Sequence, residues 1–317
     1  MKPPIAVAEV RVAVRRLLTE ACPVDAVAVA VSGGADSLAL AAAAQHVGPR
    51  MGLRVVGLTV DHGLQAGSAA TAARTADQLE ALGLTTRVLT VTVEGPGGLE
   101  AAARRARYAA LREAADGLVL LGHTRDDQAE TVLLGLGRGS GPRSIAGMRP
   151  LDPPWARPLL DVTRATTRAA CAALGLTPWD DPHNLDPRFT RVRLRREVLP
   201  LMEEVLNGGV GSALARTAAQ LREDLAALDA LAADLRTAAA DGADLRVADL
   251  TSAPAALRRR VLRTWLIQAG VEELTDAHLR AADDLIGQWR GQGGVALPGG
   301  LVARRAHGRL IFDKPDS

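Results

Sequence analysis

The sequence holds little cysteine, lysine or aromatic residue, and no long apolar run. Its two cysteines, Cys22 and Cys171, stand far apart and form no CxxC pair, which excludes a disulfide framework and a cysteine-rich metal cluster. Lysine occurs only as Lys2 and Lys314. A Walker-type phosphate loop, which needs a lysine after its second glycine, is therefore excluded. Aromatics make up 2% of the chain, too few for base recognition to rest on stacked aromatic platforms. No apolar run approaches a membrane span, and the start, with Pro3, Pro4, Glu9 and Arg11, does not resemble a signal peptide. The expectation is a cytoplasmic, disulfide-free chain with no membrane partner. A net charge of +2 by itself predicts no polyanion partner. Almost every cation is arginine, whose fork binds phosphate bidentately. At 317 residues the chain is long enough to bury a substantial core.

What is present is organised around AVAVAVSGGADS, residues 26–37. Six small or β-branched apolar residues make a short buried strand. Ser32, Gly33 and Gly34 break it, and an alanine-rich helix follows. Strand, glycine turn and helix aim backbone N–H groups and the positive end of a helix at an anion. Gly33 and Gly34 let the backbone approach a phosphate closely, and Ser32 and Ser37 add hydroxyl donors. Asp36 beside phosphates is repulsive unless a divalent cation lies between them. The loop thus reads as a site for pyrophosphate with Mg²⁺, the alternative being an ordinary turn with glycines for packing. SGGADS resembles the SGGxDS signature of the PP-loop ATP pyrophosphatases, which implies cleavage of ATP between its α and β phosphates.

Strands and helices then alternate. An amphipathic helix over 6–21 precedes the loop, and a second apolar strand, 53–60, ends in Asp61, His62 and Gly63 at the edge where open α/β sheets bind ligands. Helix 68–82, strand 85–93, helix 99–115 and strand 118–121 lead to Gly122 and His123. This alternation predicts a doubly wound parallel α/β sheet. After a break at Asn207-Gly208-Gly209, helices are expected over 212–240, 255–268 and 276–289, with short strands near the end. The expected division is 1–205 for an ATP-binding catalytic domain and 206–317 for a smaller, mainly helical domain with a short terminal β segment.

Three further stretches carry candidate chemistry. In GHTRDDQAET, 122–131, Asp127 and Glu130 share a helix face, and Asp126 lies four residues before Glu130. They suit a cationic ligand or a metal, but Thr124 with Asp127 also fits a capping box. RGSGPRSIAGMR, 138–149, is a basic loop with Arg138, Arg143 and Arg149, either a connector or a phosphate-contacting lid. Between 181 and 200 lie five arginines, at 188, 191, 193, 195 and 196, either a solvated face partly paired with Asp180, Asp181 and Asp186 or a polyanion contact.

In order, SGGADS, DHGL at 61–64, Glu100 with Ala103-Arg104 and Arg107-Tyr108, GHTRDDQAET, RGSG, RPLL at 157–160 and the acidic-then-arginine block resemble the tRNA(Ile)-lysidine synthetases over nearly the whole chain. The resemblance implies a PP-loop, Rossmann-like fold and a ligase that forms a C–N bond. Lysine would replace the C2 oxygen of the wobble cytidine in an isoleucine tRNA with a CAU anticodon, through an adenylated intermediate, with AMP and pyrophosphate released. ATP and Mg²⁺ are the implied cofactors, tRNA(Ile) and free L-lysine the partners, and a homodimer a possible assembly. Ser32, Gly33, Gly34, Ala35, Asp36, Ser37, Asp61, His62 and His123 would bind ATP, with Asp36 on Mg²⁺. Arg104 or Arg107 would assist at the phosphates, and Asp127 and Glu130 would hold lysine. Arg138, Arg143, Arg191, Arg193 and Arg195 would contact tRNA. Gln65, His183 and Val192 depart from the family pattern and put individual tRNA contacts in question. Longer members carry a further C-terminal domain, so the expectation is a short form. Rival readings are a sulfur-inserting PP-loop enzyme, which typically needs cysteines, and a non-catalytic nucleotide-binding protein of the same fold.

Overall fold

The structure is a computed structural model and describes residues 2–21, 23–63, 67–94, 98–139 and 141–313. Cys22, Leu64, Gln65 and Ser140, named above, lie outside the described residues, as do the side chains of Glu100 and Asn184. The chain gathers into two compact units, Met1–Leu221 and Arg222–Ser317.

The first unit alternates as expected: α1 (Ile5–Ala21), β1 (Ala26–Ala30), α2 (Ala35–Val47), β2 (Arg54–Asp61), α3 (Ser68–Ala81), β3 (Thr85–Thr90), α4 (Leu99–Ala114), β4 (Leu118–Leu120) and α5 (Arg125–Arg138). A four-residue helix α6 (Pro142–Ile145), a hairpin of β5 (Leu151–Asp152) and β6 (Trp155–Ala156), and α7 (Arg164–Ala173) follow. The unit continues through α8 (Thr190–Arg193) and α9 (Leu199–Val205) into α10 (Val210–Ala239). Among the described residues six strands form one sheet in the order β3-β2-β1-β4-β6-β5. All are parallel except β5, which runs against β6. Side chains alternate across β1. Val27, Val29 and Val31 join a core built with Val10, Val14 and Leu18 of α1 and Leu38 and Leu40 of α2. Ala28 faces the other side, with Leu58, Leu111, Val119 and Trp155. Helices thus cover both faces, as a parallel sheet requires. The order in which strands are added reverses between β1 and β4, and their carboxyl ends leave a crevice there.

The second unit carries helices and, beside the short β segment expected near its end, an earlier pair of strands. Among the described residues its five strands, β7 (Ala240–Asp241), β8 (Asp244–Arg246), β9 (Val295–Ala296), β10 (Val302–Ala306) and β11 (Arg309–Asp313), form an antiparallel sheet in the order β7-β8-β11-β10-β9. Helices α11 (Val247–Thr251), α12 (Ala255–Gln268) and α13 (Asp276–Gly287) complete the unit. Strands of two or three residues are too short for a period-2 pattern to show against a helical background. The core joins Leu245, Leu250, Leu262, Leu266, Leu285 and Leu310, with Trp265 stacked on Phe312 at 3.9 Å. Buried Asp283 accepts from Arg258 at 2.7 Å, so its charge is compensated inside the unit.

The stretch after α5 is tied down rather than a bare flexible loop. Gln128 donates to the Met148 carbonyl at 3.0 Å and accepts from its amide at 2.8 Å. Gly135, inside α5, allows the backbone of 144–145 to lie against the helix, because a Cβ there would sit 2.3 Å from the Ser144 carbonyl oxygen. Gly135→Ala is therefore expected to destabilise the chain by about 1–3 kcal/mol through overpacking, although alanine is the better helix former. Urea unfolding of the two proteins measures the difference.

Candidate ATP site and carboxylate cluster

A cleft of about 790 Å³ opens at the carboxyl ends of β1, β2 and β4. Its wall includes Ser32, Gly34, Ala35, Asp36 and Ser37, then Asp61 and His62, then Gly122, His123 and Asp127. The glycine turn is held from within: the Ser37 hydroxyl donates to the Gly34 carbonyl at 2.9 Å and accepts from the Ser32 amide at 3.2 Å. Trp179 donates its amide to the Gly33 carbonyl at 2.9 Å. Gly33 has φ +84°, and a Cβ there would meet the Thr75 hydroxyl at 2.7 Å, so glycine is required. Helix α2 starts after Gly34 with no side-chain cap. Its first-turn amides are thus left for an anion in the cleft.

Four acids meet beside this loop, held from α7. Asp36 accepts from the buried Thr167 hydroxyl and, at 3.5 Å, from Arg164 Nε. Burial pushes its carboxyl above the usual range, Asp127 adds to the push, and Thr167 and Arg164 oppose it. Asp127 closes a capping box on α5: its Oδ2 accepts from the Thr124 amide at 2.8 Å and hydroxyl at 2.9 Å. Its Oδ1 accepts from Arg164 Nη2 at 2.7 Å and Arg195 Nη2 at 3.5 Å. Burial pushes Asp127 up, but the Arg164 charge and the Thr124 amide outweigh it and hold the group below its ordinary value. Glu130 is 0% exposed and accepts from Arg195 at 2.6 and 3.1 Å. Burial raises its carboxyl in spite of Arg195. Asp126 accepts from the Arg164 backbone amide at 2.9 Å.

The structure separates the two arginines of α4. Arg107 lines the cleft, and burial lowers its pKa. Arg104 is exposed, outside the cleft wall, and donates to the Tyr108 hydroxyl at 3.2 Å. His123 has a buried Nδ1 with no hydrogen-bond partner. Burial, with the charges of Arg157, Arg107 and Arg104, lowers its pKa to about 4 in spite of Asp127. Asp61 accepts from the Gly63 amide at 3.0 Å.

The arginine block does not form one surface. Leu194–Val198 is a π-helical turn between α8 and α9, and within it Arg195 turns into the cleft onto Glu130. Arg193 pairs with Glu197 at 2.9 Å and Arg188 with Asp186 at 2.6 Å, both exposed. Arg191 reaches Thr131 at 3.4 Å. Arg138 and Arg143 are exposed and outside the cleft wall. Sequence reasoning missed Arg164 and Thr167. A cation in the first turn of a helix opposes the helix dipole, and that misfit at the start of α7 was the available signal.

A parallel sheet with an uncapped SGGADS helix start at its switch point defines an ATP-using PP-loop protein. The model of the PP-loop domain matches residues 8–202, and that of the TilS substrate binding domain matches 245–311. A tRNA(Ile)-lysidine synthase of Nocardia farcinica is 62% identical over 311 residues, 95% of this chain and 96% of that one. One from Mycobacterium tuberculosis is 56% identical, covering 97% of each. The chain belongs to the tRNA(Ile)-lysidine synthase family. A U34-tRNA thiolase from Methanococcus maripaludis, a structure with a [4Fe-4S] cluster, shares the fold with a TM-score of 0.56 at 17% identity, over 69% of this chain and 80% of that one.

The His123 environment has a measurable consequence. The unfolded chain takes up a proton near the ordinary value of 6.5, whereas the folded one does so only near 4. Stability should therefore fall as pH drops through the window from 6.5 to 4. Denaturant melts of His123→Gln, which lacks the titrating group, should show a shallower fall there than the parent.

Proposed function

We propose that the chain ligates free L-lysine to C2 of the wobble cytidine in the CAU anticodon of tRNA(Ile), using ATP and releasing AMP and pyrophosphate. The observation that carries this reading is the carboxylate cluster of Asp36, Asp127 and Glu130 built against an uncapped phosphate loop. The cytosine C2 oxygen is a poor leaving group until AMP is attached to it. Residues 32–37 and the α2 N-terminus hold the departing pyrophosphate, and Arg107, rather than Arg104, neutralises charge at the phosphates. Asp61, His62 and His123 line the nucleotide side, His123 as a neutral imidazole.

Among the described residues no group of three or more His, Cys, Asp or Glu side chains could hold a metal. One carboxylate, Asp36, at the phosphate loop fits Mg²⁺, which is commonly bound through one or two carboxylates and the substrate's own phosphates. Bound there, the ion would supply charge neutralisation at the polyphosphate.

Asp127 and Glu130 hold lysine, and their environments divide the work. Lysine's side-chain pKa is ~10.4, so only about one molecule in a few thousand is neutral at pH 7. Asp127, held low, stays ionised and binds the ammonium group. Glu130, raised by burial, is the better proton acceptor of the two. The freed amine attacks C2, and the C2–O bond breaks with its electron pair leaving on AMP. Arg138, Arg143, Arg191 and Arg193 contact tRNA phosphates, with 206–317 holding the tRNA, whereas Arg195 serves the carboxylates. Working as a homodimer belongs to the same reading and is checked by sedimentation.

A sulfur-inserting reading has less support. Cys171 donates to the Ala35 carbonyl at 3.3 Å, and burial pushes its thiol up to about 11, so it is no thiolate at neutral pH.

Mass analysis of tRNA(Ile) incubated with the protein, ATP and lysine should show a lysine-sized gain on one cytidine; a sulfur-for-oxygen change would sink the reading. Asp36→Ala should abolish tRNA-dependent pyrophosphate release in a chain that thermal melts show is still folded. Asp127→Asn and Glu130→Gln should still form adenylated tRNA in single-turnover assays with labelled ATP. The Asp127 variant should need roughly ten- to a hundredfold more lysine, the worth of one charged hydrogen bond. Failure of both before adenylate forms would refute the lysine assignment.

A further inference from the structure

Arg164 occupies the middle of the carboxylate cluster, and each nitrogen of its guanidinium faces a different acid. Nη2 lies 2.7 Å from Asp127, Nε 3.5 Å from Asp36, and Nη1 3.8 Å from Glu130. Three acids around one cation is also the arrangement that receives an ammonium group. Only the contact to Asp127 has the length of a strong charge-assisted hydrogen bond, so Arg164 is held firmly at one corner and loosely at the other two. Its backbone is pinned by Asp126, whereas its side chain lines the same cleft as the phosphate loop. Helix stability does not explain a cation at this position. Arg195 differs, since it grips both oxygens of Glu130.

We infer that Arg164 couples the nucleotide and lysine halves of the site. Without nucleotide it fills the carboxylate cage as a resident cation. An incoming triphosphate draws the guanidinium toward its own negative charge and leaves Asp127 open to lysine's ammonium group, with Glu130 held beside it by Arg195. The inference rests on the lysine role proposed above for those two acids. It makes Arg164 a positioning residue, and it requires that nucleotide and lysine strengthen each other's binding by the same factor.

Calorimetry of lysine binding to the full chain, with and without α,β-methylene-ATP, tests this. In the parent protein the analogue should tighten lysine binding by a factor within roughly 5–150, the usual range of such coupling. Lysine should tighten binding of the analogue equally. Arg164→Met removes the resident cation, so it should bind lysine about tenfold more tightly than the parent without nucleotide, equivalent to about 1.4 kcal/mol. The analogue should then add nothing. Arg164→Lys keeps a cation in the cage and should restore weak lysine binding and coupling. Thermal melts establish that each variant is folded, and the neutral Arg164→Gln takes the place of Arg164→Met should the latter not fold. A folded neutral variant that binds lysine more weakly than the parent, or keeps the coupling, would overturn the inference. If the parent binds no lysine with or without the analogue, the lysine reading itself fails, and this outcome is visible before any variant is made.

Discussion

Negative charge gathered at an end of the sheet where an anionic substrate must also bind is the constraint on which this site depends. Asp36 comes from the start of α2, and Asp127 and Glu130 from the first turns of α5. Taken out of water together, they repel one another, and burial alone drives Asp36 and Glu130 toward the protonated form. Two guanidiniums compensate. Arg164 lies 128 residues from Asp36 and Arg195 lies 65 from Glu130, so the site is assembled by folding rather than by local sequence. Breaking such a buried pair from one side costs about 3–5 kcal/mol, because the remaining charge is left without a partner. Stability and chemistry therefore draw on the same few side chains.

Asp127 shows this overlap most plainly. Capping box and ligand-binding acid are two readings of the same spacing, and in the structure they are compatible. One oxygen belongs to Thr124, and the other faces the arginines. A carboxylate anchored this way has a fixed rotamer and a fixed charge, which is what preorganised recognition of a cation needs. The cap sets the direction in which the acid points.

Much of this was legible in the sequence. The alternation of apolar strands with amphipathic helices gave the parallel sheet, because both elements leave strong periodic patterns. SGGADS gave the tight turn between β1 and α2 and its uncapped helix start, because glycines that follow an apolar strand and precede a helix mark such a turn. Strand order did not follow from local pattern, since it depends on long-range pairing. The β7–β8 pair was too short to leave a period. Arg104 and Arg107 stand three apart on α4, and only the fold says that the second enters the cleft while the first stays outside on Tyr108. Arg164 was hidden for another reason: its partners are more than thirty residues away in the chain. The five arginines after Asp186 read as one basic run, yet their side chains divide among Asp186, Thr131, Glu197 and the cleft.

The last of these arginines lie in the π-helical turn at Leu194–Val198. A wide turn of this kind inside a helix is an adjustment of phase. Arg195 within it faces inward, while Arg193, two positions earlier and so about 200° round the helix, pairs in solvent with Glu197. Losing or gaining one residue in this stretch would turn everything downstream by about 100° around the helix axis. Arg195 would leave Glu130, and the apolar positions of α9 would rotate with it. Divergence among relatives should therefore proceed here by substitution, with length held constant, while insertions and deletions collect in the connecting loops. The ruler that keeps Arg195 in place is the count of residues between Thr190 and Val205.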